Sequence, residues 1–477
     1  MTPFGRFCAR VCLTTGAALS TASAPFSVFA EGERPALSYQ LDVSRGKVPT
    51  MPTVKRIVDI IASLGYNQFQ LYTEHAFAYE GHETVWSSCS PMTPDEVREL
   101  DGYCAAKGVE LVPNQNSFGH FAQWLKYSKY AHLAQSSELR SALCPTNAES
   151  TALVASLYDQ LLPCFRSRLF NVGCDEVQDV EQGDYLDFLS KIHSLVAERG
   201  RTMMFWADIV LEHPETVGRV PKDAIALNWG YAAAYDFEKT TSILRRSGLR
   251  FYVCPGTSAW CSLVGQTTNM LINVDRAVAA GMKNGASGYM MTDWGDGGYV
   301  QPWIVSVPGI VALADRLKGV RHTPQSLAAR VDEALGFRAG EALAEMGVLD
   351  GLVRLKSGND TILWRMLRKG RKFGKIPETK KDSETGASME RMREVFAAWD
   401  AALAKADLEN APEWAKDDFA LLKLLRDALE MRVNGEHARV VREIRPKYAE
   451  LWLRQNRPGG LAESMVQNFS ETLPAGM

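Results

Sequence analysis

The chain has 477 residues, a formal net charge of −3 and a sequence pI of about 6.3, so it carries no basic surplus for nucleic acid or an anionic membrane surface. Hydrophobic residues make up 46% and charged residues 23%, the balance of a soluble globular protein with a sizeable core. No apolar run in the body of the chain is long enough to span a bilayer.

Residues 1–30, MTPFGRFCARVCLTTGAALSTASAPFSVFA, carry Arg6 and Arg10, no acidic residue, and a weakly apolar stretch closing on Val28-Phe29-Ala30. They read as an export signal, which makes a periplasmic or secreted protein the expectation; the alternative is a disordered tail. Beyond Cys8 and Cys12 lie Cys89, Cys104, Cys144, Cys164, Cys174, Cys254 and Cys261. Seven is odd and no Cys/His ligand spacing occurs, so neither a disulfide framework nor a zinc site is indicated.

From residue 37 strand-like and helix-like segments alternate. LSYQLDVSR reads as a strand, and PTVKRIVDIIASLG follows with Val54, Ile57, Val58, Ile61 and Leu64 on one helical face. NQFQLYTE is the second strand. TPDEVRELDGYCAAKG has Thr93 as N-cap, Pro94 as first helical residue and Gly108 as stop. VELVPNQN is the third strand; two helical stretches separate it from RLFNVGCDE, the fourth. DYLDFLSKIHSLVAERG places Leu186, Leu189, Ile192 and Val196 on one face. TMMFWAD, AIALNWGY, RFYVCPGTS and ASGYMMTDWGD are strands five to eight, with helices near 235–247, 270–284 and 304–318.

Eight strand–helix units predict a (β/α)8 TIM barrel over 31–322. A doubly wound open sheet would show fewer units and a glycine-rich first turn. QSLAARVDEALG, AGEALAEMGVLDGLVRLKSG, MERMREVFAAWDAALAKA and WAKDDFALLKLLRDALEMRV predict an all-α C-terminal domain over 323–477. KIPETKKDSETG reads as a polar linker, and RQNRPGGLAES as a closing turn.

On such a barrel chemistry collects at the C-terminal strand ends. Read in order, these ends offer Asp42 and Arg45; Glu74 and His75; Asn114, Asn116 and His120; Asp175 and Glu176; Trp206 and Asp208. They continue with Asn228, Trp229 and Tyr231; Thr257 and Trp260; and Asp293, Trp294 and Asp296. Carboxylates, amides and one arginine beside several tryptophans suit a hydroxyl-rich sugar with apolar ring faces, whereas phosphate would call for a glycine-rich loop and more basic groups. The first strand lacks the His-x-His of amidohydrolase metal sites; a metal hydrolase using His75, His82 and His120 is the alternative. Read one by one, Arg45 is open between ligand contact and carboxylate pairing, and His120 between function and a structural imidazole. His193 and His213, on or near outer helices, read as structural or solvated.

The ordered elements LDVSR, NQFQLYTEHAFAYEGHE, VPNQNSFGH, VGCDEV, MMFWAD, LNWG and TDWGD resemble the catalytic barrel of glycoside hydrolase family 20, the β-N-acetylhexosaminidases, over 37–320. VGCDEV is the most specific element, and the helical extension with NRPGGL is similar to a divergent subgroup lacking the usual N-terminal α/β domain. The resemblance implies that Glu176 is the general acid/base and that Asp175 holds the substrate's 2-acetamido N–H, the nucleophile being the substrate's own carbonyl oxygen. It implies that Arg45 and Asp296 bind outer hydroxyls, that Trp206, Trp229 and Trp294 wall the sugar, and that His120 supports the acid. Glu74, Asn116, Asn171 and Asp208 are expected to support them. The tyrosine that binds the acetamide carbonyl is not placed; Tyr252 and the Thr257–Trp260 loop are candidates.

Departures are visible. Where the family has His-x-Gly-Gly before Asp-Glu, this chain has Asn171, Val172, Gly173 and Cys174; Asn116 stands where many members have Asp; and WGD replaces WGE. The expected activity is release of terminal N-acetylhexosamine from a glycan or glycoconjugate, with no cofactor, metal or nucleic acid. A non-catalytic carbohydrate-binding barrel and a retaining glycosidase with a carboxylate nucleophile are the alternatives.

Overall fold

Eight short runs with inward and outward residues alternating pair edge to edge, every neighbouring pair parallel. They are β1 (Ala36–Asp42), β2 (Gln68–Tyr72), β3 (Glu110–Val112), β4 (Leu169–Asn171), β5 (Thr202–Trp206), β6 (Ile225–Trp229), β7 (Arg250–Cys254) and β8 (Gly288–Asp293). The computed structural model describes residues 35–353, 360–369, 378 and 387–471; the expected export signal and all but Glu378 of the 375–386 linker lie outside the described residues. The order β3-β2-β1-β8-β7-β6-β5-β4 closes through a parallel bridge between Asn114 and Asn171. Closure leaves no unpaired edge and makes the predicted (β/α)8 barrel.

Helices cover the barrel because their apolar faces need a partner surface. They are α1 (Met51–Ser63), α2 (Pro94–Ala106), α3 (Ala148–Leu161), α4 (Gln182–Glu198), α5 (Phe237–Ser247), α6 (Thr267–Asn284) and α7 (Val307–Leu317). Thr93 caps α2 as expected: its hydroxyl accepts from the Glu96 N–H while Glu96 answers the Thr93 N–H, with Pro94 in the first turn. The face read from α4, Leu186, Leu189, Ile192 and Val196, is buried.

Two strands are shorter than the sequence suggests. VELVPNQN contributes only Glu110–Val112 to the sheet and RLFNVGCDE only Leu169–Asn171. Past these points side chains join the remaining backbone bonds: Asn114 Oδ1 accepts from the Thr73 N–H at 2.6 Å, and Asn171 Oδ1 accepts from the Gly173 N–H at 3.0 Å. Short β4 therefore delivers its polar tail to the rim as a shaped loop.

The C-terminal helices are α8 (Pro324–Leu335), α9 (Gly340–Met346), α10 (Ile362–Lys369), α11 (Met389–Leu403), α12 (Glu413–Val433), α13 (Arg445–Gln455) and α14 (Leu461–Phe469). AGEALAEMGVLDGL breaks after Met346, where the Gly347 carbonyl turns away to accept from the Thr267 N–H of the barrel. The NRPGGL turn does not close the chain; it leads into α14, which the sequence reading missed. The seven cysteines of the described residues are free, and all but Cys144 are buried.

Candidate active site

The rim is organised around the loop after β4. Gly173 and Cys174 both have φ of 71° and Glu176 has φ of 50°. Asparagine 171 starts this left-handed path by capping Gly173, and a Cβ at Gly173 would sit 2.5 Å from the Asn116 side chain, so glycine is required there for both torsion and space. Cys174 and Glu176 hold the same region without that freedom, at a cost of about 1–3 kcal/mol each. Surrounding bonds pin them: Tyr185 Oη donates to the Cys174 carbonyl at 2.9 Å, and the Glu176 N–H donates to Asp208 Oδ2 at 2.9 Å.

The two adjacent carboxylates end in different environments. Asp175 is 6% exposed, with Oδ1 accepting from Asn116 Nδ2 at 3.0 Å and Oδ2 lying 3.4 Å from His120 Nε2. Burial would raise its pKa, but the His120 charge and the Asn116 bond outweigh that and hold it below the usual carboxylate value. The Glu176 side chain is 56% exposed, with Oε2 3.5 Å from the same His120 nitrogen. Partial burial and the neighbouring Asp175 charge raise its pKa. The two shifts run in opposite directions, so Glu176 holds its proton more readily than Asp175 does.

His120, itself at φ of 55°, joins this pair to the Glu74 and Arg45 side of the rim. Its Nδ1 lies 3.6 Å from Glu74 Oε1. Burial opposes its protonation, yet Asp175 and Glu74 push its pKa up to about 9. Glu74 Oε1 also pairs with Arg45 Nη1 at 2.7 Å and accepts from Tyr72 Oη at 3.1 Å. Arg45 reaches Asp296 Oδ1 at 3.5 Å and lies over the Tyr72 and Trp294 rings, 5.1 and 5.6 Å from their centroids. Asp208 is pushed up to about 7 by burial and by Asp175.

Aromatic residues form the walls. Trp294 meets Tyr72 edge-on at 4.7 Å and Trp206 at 5.9 Å. Tyr231 stacks on Trp229 at 5.2 Å and crosses Trp260 at 5.1 Å, with Trp294 at 6.4 Å. Tyr231 thus stands at the centre of the aromatic box. The sixth strand end offered it beside Trp229, but nothing in the sequence assigns it this central role, since it lies just past β6. Tyr72 was missed as a site residue, although alternation along Gln68, Gln70 and Tyr72 points all three to one face.

Two residues read as site candidates are not brought to this rim. Tyr252 Oη donates to Gln68 at 3.3 Å, inside the barrel toward the strand starts, because it sits mid-strand opposite Gly288. Asn171 also faces the interior, donating to Gln70 at 3.0 Å, and touches the site only through the Gly173 turn. The three histidines of the metal alternative do not converge: His82 Nδ1 bonds Tyr130 Oη at 2.6 Å and its ring packs on Trp124.

A family model for the catalytic domain of glycosyl hydrolase family 20 matches residues 38–185, which run from β1 through the Asp175–Glu176 pair. Hexosaminidase D of Bos taurus is 24% identical over 335 residues, covering 63% of this chain and 97% of that protein. The family-model match and this relative support membership of glycosyl hydrolase family 20. The chain is accordingly a glycoside hydrolase of the β-N-acetylhexosaminidase kind. Among solved structures, the chitobiase of Flavobacterium johnsoniae shares the fold, with a TM-score of 0.53 and 17% identity over 91% of this chain and 70% of that one. A further β-N-acetylhexosaminidase structure matches with a TM-score of 0.52 and 17% identity, over 63% of this chain and 75% of that one.

Placed in family 20, the departures acquire physical reasons. Cys174 takes a left-handed torsion where glycine is usual. Asn116 bonds Asp175 instead of His120, and Glu74 from the neighbouring strand faces the imidazole Nδ1. Asp296 still reaches Arg45 although it is one methylene shorter than the usual glutamate.

Proposed function

We propose that this chain is an exo-acting, retaining β-N-acetylhexosaminidase that uses the substrate's acetamide as nucleophile. In the first step the acetamide oxygen bonds to the anomeric carbon as the glycosidic C–O bond breaks, and Glu176 gives its proton to the leaving oxygen. The oxazolinium formed is positive, and ionised Asp175 accepts its N–H. Glu176, now a carboxylate, then takes a proton from water as the water oxygen adds to the anomeric carbon and the ring opens. One observation carries this reading: Asp175 is buried and held below the usual carboxylate pKa while neighbouring Glu176 is exposed and raised. With both Asp175 oxygens already faced by Asn116 and His120, it is better built to accept an N–H than to attack carbon.

Glu176→Gln is expected to cut kcat on glycosides with poor leaving groups by about 10²–10⁴-fold, and far less on nitrophenyl glycosides, which need no protonation. Equal losses on both would refute the acid assignment. Asp175→Asn should slow even activated substrates, and a thiazoline mimic of the oxazolinium should inhibit tightly; weak inhibition would favour a carboxylate nucleophile. The 1–30 segment supports export, and N-terminal sequencing of protein from the native host should then begin near Glu31.

A further inference from the structure

The loop after β8 carries Trp294 and Asp296 and then takes three left-handed residues in succession, Gly297, Gly298 and Tyr299, with φ of 72°, 100° and 50°. Glycine takes such torsions freely but a tyrosine does not, so contacts from elsewhere help hold the path. They come from the turn and helix at the end of the chain. Ser464 Oγ donates to the Gly298 carbonyl at 2.6 Å, and a Cβ on Gly298 would lie 3.0 Å from Asn468 Nδ2. Ser464 is buried and braced from the other side by Tyr448 Oη at 2.8 Å.

The same arm also touches the loop after β1. Gly460 packs so closely on Gly46 that a Cβ on Gly46 would meet the Gly460 Cα at 3.1 Å, and Gly46 follows Arg45 directly. The arm is bolted to the barrel just before that point. Arg457 donates to the Pro91 carbonyl at 2.8 Å and to Glu96 Oε1 at 2.8 Å, and the Gly459 N–H donates to Ser90 Oγ at 3.0 Å. Arg45 and Asp296, 3.5 Å apart, therefore stand on two loops held by one continuous segment.

We propose that residues 457–468 are a positioning element of the substrate site, with Ser464 fixing the Asp296 loop against Arg45. Ser464 touches no reacting group; it sets the place of the carbonyl two residues beyond Asp296. The proposal rests on the hexosaminidase reading, in which Arg45 and Asp296 bind hydroxyls of the terminal sugar in ground and transition state alike. Losing the positioning should then weaken uniform binding and leave the chemical step intact.

The test uses the full chain and a 4-nitrophenyl β-N-acetylglucosaminide. Ser464→Ala is expected to raise KM about three- to tenfold, the size of one lost hydrogen bond, with kcat within about twofold. Ser464→Thr, which keeps the hydroxyl, should restore KM. In an Asp296→Asn background the Ser464→Ala penalty should vanish, because the serine acts through that carboxylate. Gly460→Ala provides a second variant and should raise KM by pressing on Gly46. An unchanged KM in Ser464→Ala, a fall in kcat alone, or the same penalty in both backgrounds would overturn the proposal while leaving the hexosaminidase reading standing. A wild-type chain that neither hydrolyses this substrate nor binds the thiazoline would overturn that reading, and the proposal with it.

Discussion

At the scale of the residue, His120 decides how the two carboxylates divide their work. Its charge lies within 3.5 Å of both, and it is held protonated by Asp175 and Glu74. Removing that charge should raise both carboxyl pKa values. In the proposed mechanism Asp175 must be ionised, so activity is lost as pH falls through its pKa, and Glu176 must be protonated, so activity is lost as pH rises through its own. His120→Asn is therefore expected to move both limbs of the kcat/KM profile to higher pH, with a lower maximum. A profile that keeps its acid limb in place would show that the imidazole charge does not hold Asp175 down. The proposed acid role of Glu176 is favoured by its raised pKa, which partial burial and the Asp175 charge supply.

At the scale of the element, the join between α7 and α8 depends on one buried acid. Asp315 on α7 accepts from Arg330 Nε at 2.8 Å and faces His322 Nε2 at 3.0 Å, both beyond the barrel. Burial would raise its pKa, but Arg330 and His322 lower it below the usual 3.8. A depressed carboxylate adds stability above its unfolded pKa and loses it as pH falls through the folded value. Asp315→Asn should cost about 1–3 kcal/mol at neutral pH. The gap between the two proteins in thermal unfolding should close as pH is taken below about 4, the unfolded carboxyl range. A difference that persists unchanged in acid would mean the amide disturbs packing rather than charge. The cap on α2 has a similar double use, since Glu96 both closes the capping box and holds Arg457.

At the scale of the whole molecule, the helical domain is wired into the barrel rather than appended to it. Asp418 of α12 accepts from the Ile304 N–H at 3.1 Å and from Gln455 Nε2 at 2.7 Å, while the Gln455 carbonyl takes the Thr50 N–H at 3.0 Å. Burial pushes the Asp418 carboxyl up to about 6 against the pull of Arg56 and Lys47. The Lys47 ammonium, buried beside it, donates to the Gln301 carbonyl at 2.8 Å. Asp418→Ala strands those partners and should cost about 3–5 kcal/mol, read as a lower denaturation midpoint. Asp418→Asn, which can still accept from Ile304, should cost clearly less. Equal losses would argue that the charge, which both variants lack, carries the join and that the acceptor kept by Asn does not.

The sequence alone carried the barrel, because alternating period-two and helical segments leave few other ways to bury their apolar faces, and it carried the Asp175–Glu176 pair, because ionisable residues ending an apolar strand demand a reason. It carried the Thr93 cap for the same local cause: capping involves residues three apart. Contacts between strands lay beyond it. That Glu74 meets His120, that Tyr231 rather than Tyr252 stands among the tryptophans, and that Asn116 turns to Asp175 all depend on which side chains the closed sheet brings together across the rim. The arm at 457–468 is the furthest case. Its glycines look like an ordinary chain-end turn in isolation, and only folding sets them against Arg45 and Asp296, more than a hundred and fifty residues away in sequence, because close backbone approach is a property of the packed molecule and leaves no local pattern.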